Sequence, residues 1–323
     1  MSDIIVVGLA GFLASLVDGA LGMGFGPTSS SILLSSGMSP ATASATVNLA
    51  KVATGLAAGV SHWRFGNLDR RLVLQLAIPG ALGALVGTTV LVHVDGDDLR
   101  PILACVLLVV GLRILVRFSR ALPAAAYAGY DSKADIAMPR FDERGVEVAA
   151  AAGGVTNGLV GAWGPVVTPF LLHRGLPPRF AIGSVNTAEV AVALVAAGSL
   201  ITSLGGAGLE LGVVLAMLIG GIAAAPVAAY VIRFLPPRLL GLAVAGLLLA
   251  TQTRELAGYF DLGAGRWIAY ALVPLVILGA ALRPRLTRAR RARQGVRPRG
   301  VRDQHAAATQ LAHPGTPDDP GVD

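Results

Sequence analysis

Charged residues are scarce in this chain of 323 residues: Asp, Glu, Lys and Arg make up 14% of it, whereas 54% is hydrophobic. Soluble globular proteins carry about 25% charged residues. Together with a mean hydropathy of +0.68, this composition excludes an ordinary soluble domain. The uncharged runs that result, such as 72–92 and 211–232, have the length of roughly twenty residues that crosses a bilayer as a helix.

Cysteine and histidine are also rare. The chain has one cysteine, Cys105, and five histidines, and none of them forms a His-Glu-x-x-His motif. A Gly-x-Ser-x-Gly nucleophile motif is missing as well. A single cysteine excludes an intramolecular disulfide and a thiolate metal cluster. We therefore predict no metal site, no cofactor and no catalytic residues, and so a protein that is not an enzyme.

The positive net charge of +7 is confined largely to one region. Nine arginines fall within residues 283–302, after the last apolar run, so the charge does not indicate a nucleic-acid partner. The first residues, Met1-Ser2-Asp3, contain no basic n-region. A cleaved signal peptide is therefore not expected.

What the chain does contain is an internal repeat at an offset of 138 residues. Residues 22–60 and 160–198 align without a gap, and 14 of the 39 aligned positions are identical. Chance similarity in a composition rich in Ala, Leu, Gly and Val does not reach this level. Duplicated apolar chains with Gly/Pro-interrupted segments are typical of secondary transporters. The predicted fold class is all-α, a polytopic integral membrane protein.

The repeat defines the predicted organisation. Each half has one broken apolar segment and three helices: 4–36 followed by about 40–61, 72–93 and 99–117, and 147–173 followed by about 178–203, 210–232 and 238–256. The predicted regions are a first repeat at 1–117, a cytoplasmic linker at 118–145, a second repeat at 146–257, an extra helix at 258–282 and a disordered basic tail at 283–323.

The charges of the loops predict that the two repeats are inverted relative to each other. Basic residues cluster at 62–71, whereas the equivalent loop of the second half, 203–209, has none. The next loop is acidic in the first half and basic in the second. Because basic residues in short loops favour the cytoplasm, this reversal indicates opposite orientations. The two broken segments must then be bent or re-entrant, with their irregular backbone packed inside the bundle.

The two breaks read Gly-Met-Gly-Phe-Gly-Pro at 22–27 and Gly-Ala-Trp-Gly-Pro at 161–165. A helix that restarts at each proline presents unpaired N–H groups and the positive end of its dipole, which favours an anion. The candidate substrate-binding residues at the breaks are Gly24, Gly26, Pro27, Thr28, Gly164 and Pro165. The alternative is that the glycines only allow tight helix packing.

Two charged residues lie inside predicted membrane helices at equivalent repeat positions. Lys51 and Glu189 are each about 16 Å along their helices, at about 1.5 Å per residue, and so near the bilayer midplane. Asn48 and Asn186 lie one turn earlier on the same faces and join the substrate-binding candidates. We predict that Lys51 and Glu189 couple transport to protons; a purely structural ion pair is the alternative. Asp18 is either a second partner of Lys51 or an interfacial residue.

Four segments carry a family likeness: the Gly-Met-Gly-Phe-Gly-Pro break, 61–67, 163–168 and 182–186. In these residues the chain resembles the TauE/SafE sulfite exporter family of bacterial membrane transporters, over residues 5–256. The resemblance implies a protein of the bacterial inner membrane, with two related halves, that moves sulfite, sulfonate or related organosulfur anions. It also adds Ser184 to the substrate-binding candidates. Relatives tend to have an aromatic pair after the glutamate equivalent to Glu189, whereas this chain has Val190 and Ala191 there.

We therefore expect a secondary transporter that carries a small anion across the bacterial cytoplasmic membrane, with the lipid bilayer as its other partner. Assembly into a homo-oligomer is left open. The alternative is a membrane scaffold or assembly subunit without transport activity. Because a scaffold needs neither paired helix breaks nor midplane charges, transport is the favoured hypothesis.

Overall fold

The structure, a computed structural model, describes residues 2–21, 24–64, 66, 68–119, 141–205, 211–231 and 237–293. Within these ranges eleven helices form and no residue lies in a strand: α1 Ser2–Leu21, α2 Phe25–Ser35, α3 Pro40–Arg64, α4 Arg70–His93, α5 Gly96–Ser119, α6 Val146–Val160, α7 Gly164–His173, α8 Pro178–Leu204, α9 Leu211–Val231, α10 Pro237–Tyr259 and α11 Gly265–Arg293. Most of the predicted linker and the end of the predicted tail, 120–140 and 294–323, lie outside the described residues.

The helices form two series of five that follow the repeat. Each broken segment becomes two helices, α1 and α2 in the first half and α6 and α7 in the second, and three longer helices follow each pair. Every helix of the first series has its counterpart about 138 residues later, so that α3 corresponds to α8 and α5 to α10. The all-α fold class is confirmed. The inverted orientation of the halves stays a prediction.

Contacts between the two series also follow the repeat. Helices α3 and α5 pack on their own counterparts, α8 and α10. Helix α1 packs on α9. In the repeat, α6 corresponds to α1 and α4 corresponds to α9, and α6 likewise packs on α4. Both of these interfaces rely on small residues: a Cβ added to Gly220 or Gly154 would lie 2.0 Å from the carbonyl oxygen of Gly8 or Gly80, respectively. Small residues let membrane helices approach this closely.

Four helices of the described part are long and apolar enough to cross a bilayer by length and composition: α4, α5, Phe180–Leu204 of α8 and Gly265–Arg283 of α11. Helix α3 was predicted to span but is not among them. Buried polar residues such as Asn48 and Lys51 lower its hydropathy. Its 25 residues still give a length of about 37 Å. Polar side chains of this kind are tolerated in a membrane helix when they face the bundle interior.

The last helix departs from the prediction. Helix α11 continues to Arg293, so residues 283–293 are helical although they were expected to begin a disordered tail. Arginine and alanine, which dominate this stretch, are strong helix formers. By its contacts the chain divides into Met1–Ala281 and Leu282–Asp323, and the end of α11 is the described part of the second unit.

Candidate functional site

Lys51 lies in the middle of α3 with 5% of its side chain exposed. Its ammonium forms an ion pair with the carboxylate of Glu189 on α8. It also donates hydrogen bonds to Asn157 Oδ1 at 2.8 Å and to the carbonyl oxygen of Gly161 at 2.7 Å. An ammonium has three donors, and these acceptors come from α8, α6 and the second break. Lys51 therefore joins α3 of the first half to three segments of the second half.

Asn157 of α6 links Lys51 to Asn48. Its Nδ2 donates to Asn48 Oδ1 at 2.7 Å, and Asn48 Nδ2 donates to the Ser44 carbonyl oxygen at 2.9 Å. The Ser44 hydroxyl in turn donates to the Gly158 carbonyl oxygen at 2.6 Å. A buried network with its partners in place holds side chains in fixed positions. We call the following residues the central cluster: Ser44, Asn48, Lys51, Asn157 and Glu189.

The two helix breaks meet beside the central cluster. A Cβ added to Gly26 would lie 1.8 Å from the carbonyl oxygen of Gly161, the same oxygen that Lys51 binds. Gly161 has φ +67, a left-handed conformation that glycine adopts without steric cost. The Ser30 hydroxyl adds a hydrogen bond of 2.8 Å to the Val160 carbonyl oxygen. Close packing therefore accounts for Gly26, and a role for it in binding stays a prediction.

The start of α2 is occupied by a carboxylate of the protein itself. Asp18 Oδ1 accepts hydrogen bonds from the backbone N–H groups of Gly24 at 2.8 Å and Phe25 at 3.2 Å. A carboxylate at this position is stabilised by the positive end of the helix dipole. The ion pairs among the described residues do not include one between Asp18 and Lys51. An internal anion therefore fills the position that was predicted for a substrate at the first break.

The start of α7 has no such carboxylate. Thr156, the repeat equivalent of Asp18, donates its hydroxyl to the carbonyl oxygens of Gly153 at 2.9 Å and Ala162 at 2.8 Å. The N-cap residue of α7, Trp163, makes no side-chain capping hydrogen bond, and the backbone N–H groups of Val166 and Val167 both donate to its carbonyl oxygen at 3.1 Å. The indole of Trp163, which is fully buried, donates to the Val185 carbonyl oxygen at 3.1 Å. The second break is thereby attached to α8.

The remaining candidates at the breaks lie in the first turns of α2 and α7. Gly24, whose N–H binds Asp18, and Pro27 are buried, and Gly164 and Pro165 are buried at the start of α7. Thr28 is fully buried, and its hydroxyl has no hydrogen-bond partner within the described ranges.

Two candidates on α8 are placed differently from the central cluster. Ser184 is buried, and its hydroxyl accepts a hydrogen bond of 3.3 Å from the backbone N–H of Asp69, just before α4. Asn186 is half-buried, and the partner of Asn48 is Asn157 rather than this repeat equivalent. Ser184 thus connects α8 to the start of α4.

Asn157 is the residue that sequence reasoning missed. It lies inside an apolar run, and an amide in such a position is in itself a signal of an interior site. Its repeat equivalent is Gly19. A comparison of the two halves selects positions at which both halves carry a polar or charged residue. It therefore does not select Asn157, whose equivalent is a glycine.

The cluster offers proton and anion chemistry. Among the described residues there is no group of three or more His, Cys, Asp or Glu side chains that could hold a metal ion. Lys51 and Glu189 supply a buried cation and a partly buried proton acceptor in contact. When the carboxylate of such a pair is protonated, the ammonium group becomes available to bind an external anion.

Comparisons with known proteins identify the family to which the chain is similar. The family model described as "Sulfite exporter TauE/SafE" matches residues 7–254, a range that includes both breaks and the whole central cluster. The "Probable membrane transporter protein YtnM" of Bacillus subtilis (strain 168) is 39% identical over 278 residues, covering 85% of this chain and 88% of that protein. No solved structure gives a significant match.

Proposed function

The chain belongs to the sulfite exporter TauE/SafE family of membrane transporters, and we propose that it carries a sulfite-like or organosulfur anion across the bacterial cytoplasmic membrane. The observation that supports this proposal most directly is the Lys51–Glu189 pair. It joins α3 and α8, which are counterparts in the repeat, and it lies where the two helix breaks meet.

The charges of the pair connect anion binding to a proton. A substrate anion close to Lys51 also meets the carboxylate of Glu189. Two like charges 4 Å apart repel by about 4 kcal/mol at an effective dielectric constant of about 20. Protonation of Glu189 removes this repulsion and frees one donor of the Lys51 ammonium. Anion binding and proton binding therefore favour each other, and reciprocity requires that each strengthens the other equally.

The second break supplies the rest of the proposed anion site. Lys51 binds the carbonyl oxygen of Gly161, three residues before α7 begins at Gly164. The start of α7, where Trp163 makes no side-chain capping hydrogen bond, adds the positive end of a helix dipole. The start of α2 is less suitable because Asp18 already occupies it. We therefore assign the anion to the space between Lys51 and the first turn of α7.

Transport into proteoliposomes tests the proposal. Radiolabelled sulfite and a small aminosulfonate are offered with and without an imposed pH gradient. Lys51→Met should abolish transport, since the buried cation is lost. Glu189→Gln should fold and still bind the anion, but its transport should no longer respond to the pH gradient. Glu147→Gln, which changes an exposed glutamate in the first turn of α6, is the matched control and should behave like the wild type.

The double variant Lys51→Glu, Glu189→Lys separates coupling from structure. If the pair only fixes the register of α3 and α8, the exchanged pair should restore folding and transport together. If Glu189 carries the proton, the exchanged variant should fold but not couple. A Glu189→Gln protein that still accumulates the anion in step with the pH gradient would end the coupling hypothesis. Wild-type proteoliposomes that move neither anion would favour the membrane scaffold.

A further inference from the structure

A groove opens between α3 and α4, with α8 as its floor. Its volume is about 540 Å³. Both α3 and α4 pack along α8, while they diverge from each other. Gly55 and Gly59 bring α3 close to α8: a Cβ on Gly55 would lie 2.9 Å from Val190 Cγ2. The missing side chains of these two glycines leave room along the wall of the groove.

The lining of the groove is apolar over most of its length. The apolar side chains along it are Leu56, Val60, Leu68, Val73, Leu74 and Val190. Leu56, Val60 and Leu74 are each at least half exposed, which in a membrane protein means that they face lipid. A concave apolar surface of this volume has the size of a small-ligand site. A hydrocarbon chain fits this lining, whereas the proposed anionic substrate does not.

One end of the groove is polar and positively charged. Trp63 at the end of α3 and Arg70 at the start of α4 both line it. Trp63 is 59% exposed, and tryptophan favours the membrane–water interface. The neighbouring Arg71 pairs with Glu143 at 3.4 Å, whereas the ion pairs of the described part of the chain do not include Arg70. The carboxylate of Asp69 is engaged with backbone N–H groups of α4.

We propose that this groove binds an anionic phospholipid, with one acyl chain between α3 and α4 and the phosphate against Arg70. The occupant follows from complementarity: an apolar channel that ends in an arginine at the membrane surface matches a hydrocarbon chain that ends in a negative headgroup. The floor of the groove includes Thr187 and Val190, which flank Glu189 on α8. A lipid in this place supports the α3–α8 contact that holds Lys51 on Glu189.

Quenching of Trp63 fluorescence by brominated lipids tests the proposal. The full chain carries Trp267→Phe, which removes the other exposed tryptophan, and a variant that also lacks Trp63 gives the background from the buried Trp163. Dibrominated phosphatidylglycerol should quench Trp63 at about a fivefold lower mole fraction than dibrominated phosphatidylcholine, the preference that one surface arginine provides. Arg70→Gln should remove this preference, and Arg71→Gln, its neighbour, should keep it.

A second variant tests the groove itself. Gly59→Leu places a side chain in the acyl position, and its Cβ lies 3.6 Å from Thr187 Oγ1, an ordinary contact. It should reduce quenching by both lipids. If Gly59→Leu does not fold, Val73→Phe fills the same groove from α4. Equal quenching by the two lipids, or a preference that survives Arg70→Gln, would overturn the headgroup assignment. Quenching that neither filling variant reduces would overturn the groove as the site.

Discussion

The two helix breaks share one origin in the sequence and differ in their electrostatics. Both precede a short helix with proline in its first turn, and they touch at Gly26 and Gly161. The first break places the Asp18 carboxylate on the start of α2. The second has Thr156 at the equivalent position, and its hydroxyl donates to the Ala162 carbonyl oxygen instead of capping α7. Equivalent positions of the two repeats thus carry a carboxylate beside the first break and a neutral hydroxyl beside the second.

The first turn of α2 is also more polar than the first turn of α7. Helix α2 continues after its proline with Thr28 and Ser29, which are fully buried and whose hydroxyls have no partner within the described ranges. Their equivalents in α7 are Val166 and Val167. The first break is therefore polar and holds a carboxylate, whereas the equivalent residues of the second break are apolar. A transporter with two such halves can use one break for structure and the other for its substrate.

The largest effect is expected from a substitution at the contact between the breaks. Gly26→Ala places a Cβ 1.8 Å from the Gly161 carbonyl oxygen, so the backbone of one break must move. We expect destabilisation of about 3 kcal/mol and loss of transport, because Lys51 binds the same oxygen. The melting temperature in detergent and uptake into proteoliposomes measure the two effects.

The control for this substitution is Gly198→Ala. Gly198 lies on α8 with no atom within 4 Å of an added Cβ, and alanine is the better helix former. Its melting temperature should be equal to or above that of the wild type. A Gly26→Ala protein that melts like Gly198→Ala would show that the breaks do not pack against each other as described.

The second effect comes from making the two breaks alike. Thr156→Asp gives α7 the carboxylate that α2 has in Asp18, and it places a negative charge in the proposed anion site. We expect the apparent affinity for sulfite to fall by at least about tenfold. Two like charges about 4 Å apart repel by about 4 kcal/mol at an effective dielectric constant of about 20. Concentration-dependent uptake gives the affinity.

Thr156→Val is the matched variant for this experiment. It removes the same hydroxyl from the carbonyl oxygens of Gly153 and Ala162 without adding charge. It should lower the melting temperature while leaving the affinity for the anion nearly unchanged. If Thr156→Val and Thr156→Asp weaken binding equally, the start of α7 is not the anion site.

A smaller effect is expected from opening the first break. Asp18→Asn keeps a hydrogen-bonding cap on α2 but removes its charge, and a negative charge at a helix N-terminus contributes about 0.3–1 kcal/mol. The melting temperature should fall by a few degrees, and transport should continue because the anion is assigned to the second break. Loss of sulfite transport in a folded Asp18→Asn protein would transfer the binding role to α2 or make Asp18 a second proton carrier.

The sequence allowed most of the fold to be predicted and only part of the site. Uncharged runs and Gly/Pro breaks located the helices of both halves, because length and hydropathy largely decide what spans a membrane. The repeat also selected Lys51 and Glu189, which the structure places in contact. It could not select Asn157, since the equivalent position is a glycine. The capping of α2 by Asp18 joins residues six and seven positions apart, and a sequence pattern does not specify such a contact.

The smallest effect is expected at the C-terminal ends of α2 and α7. Arg174 ends α7 and pairs with Asp142, whereas its repeat equivalent, Ser36, ends α2 with a hydrogen bond to the Leu33 carbonyl oxygen. The backbone N–H of Arg144, followed by the Arg174 side chain, holds the pKa of Asp142 below its ordinary value of 3.8. A carboxyl with a lowered pKa in the folded state adds stability above its unfolded pKa and loses it as the pH falls through the folded pKa.

Asp142→Asn should therefore lower the melting temperature slightly at neutral pH, and the difference from the wild type should shrink as the pH falls below 3.8. The effect is small because Asp142 is exposed and exposed ion pairs contribute little. Ser36→Ala, at the equivalent end of α2, removes no charge and should give a difference that does not depend on pH. A gap between Asp142→Asn and the wild type that widens in acid would contradict this account, because it would mean that the protonated carboxyl, not the ion pair, stabilises the end of α7.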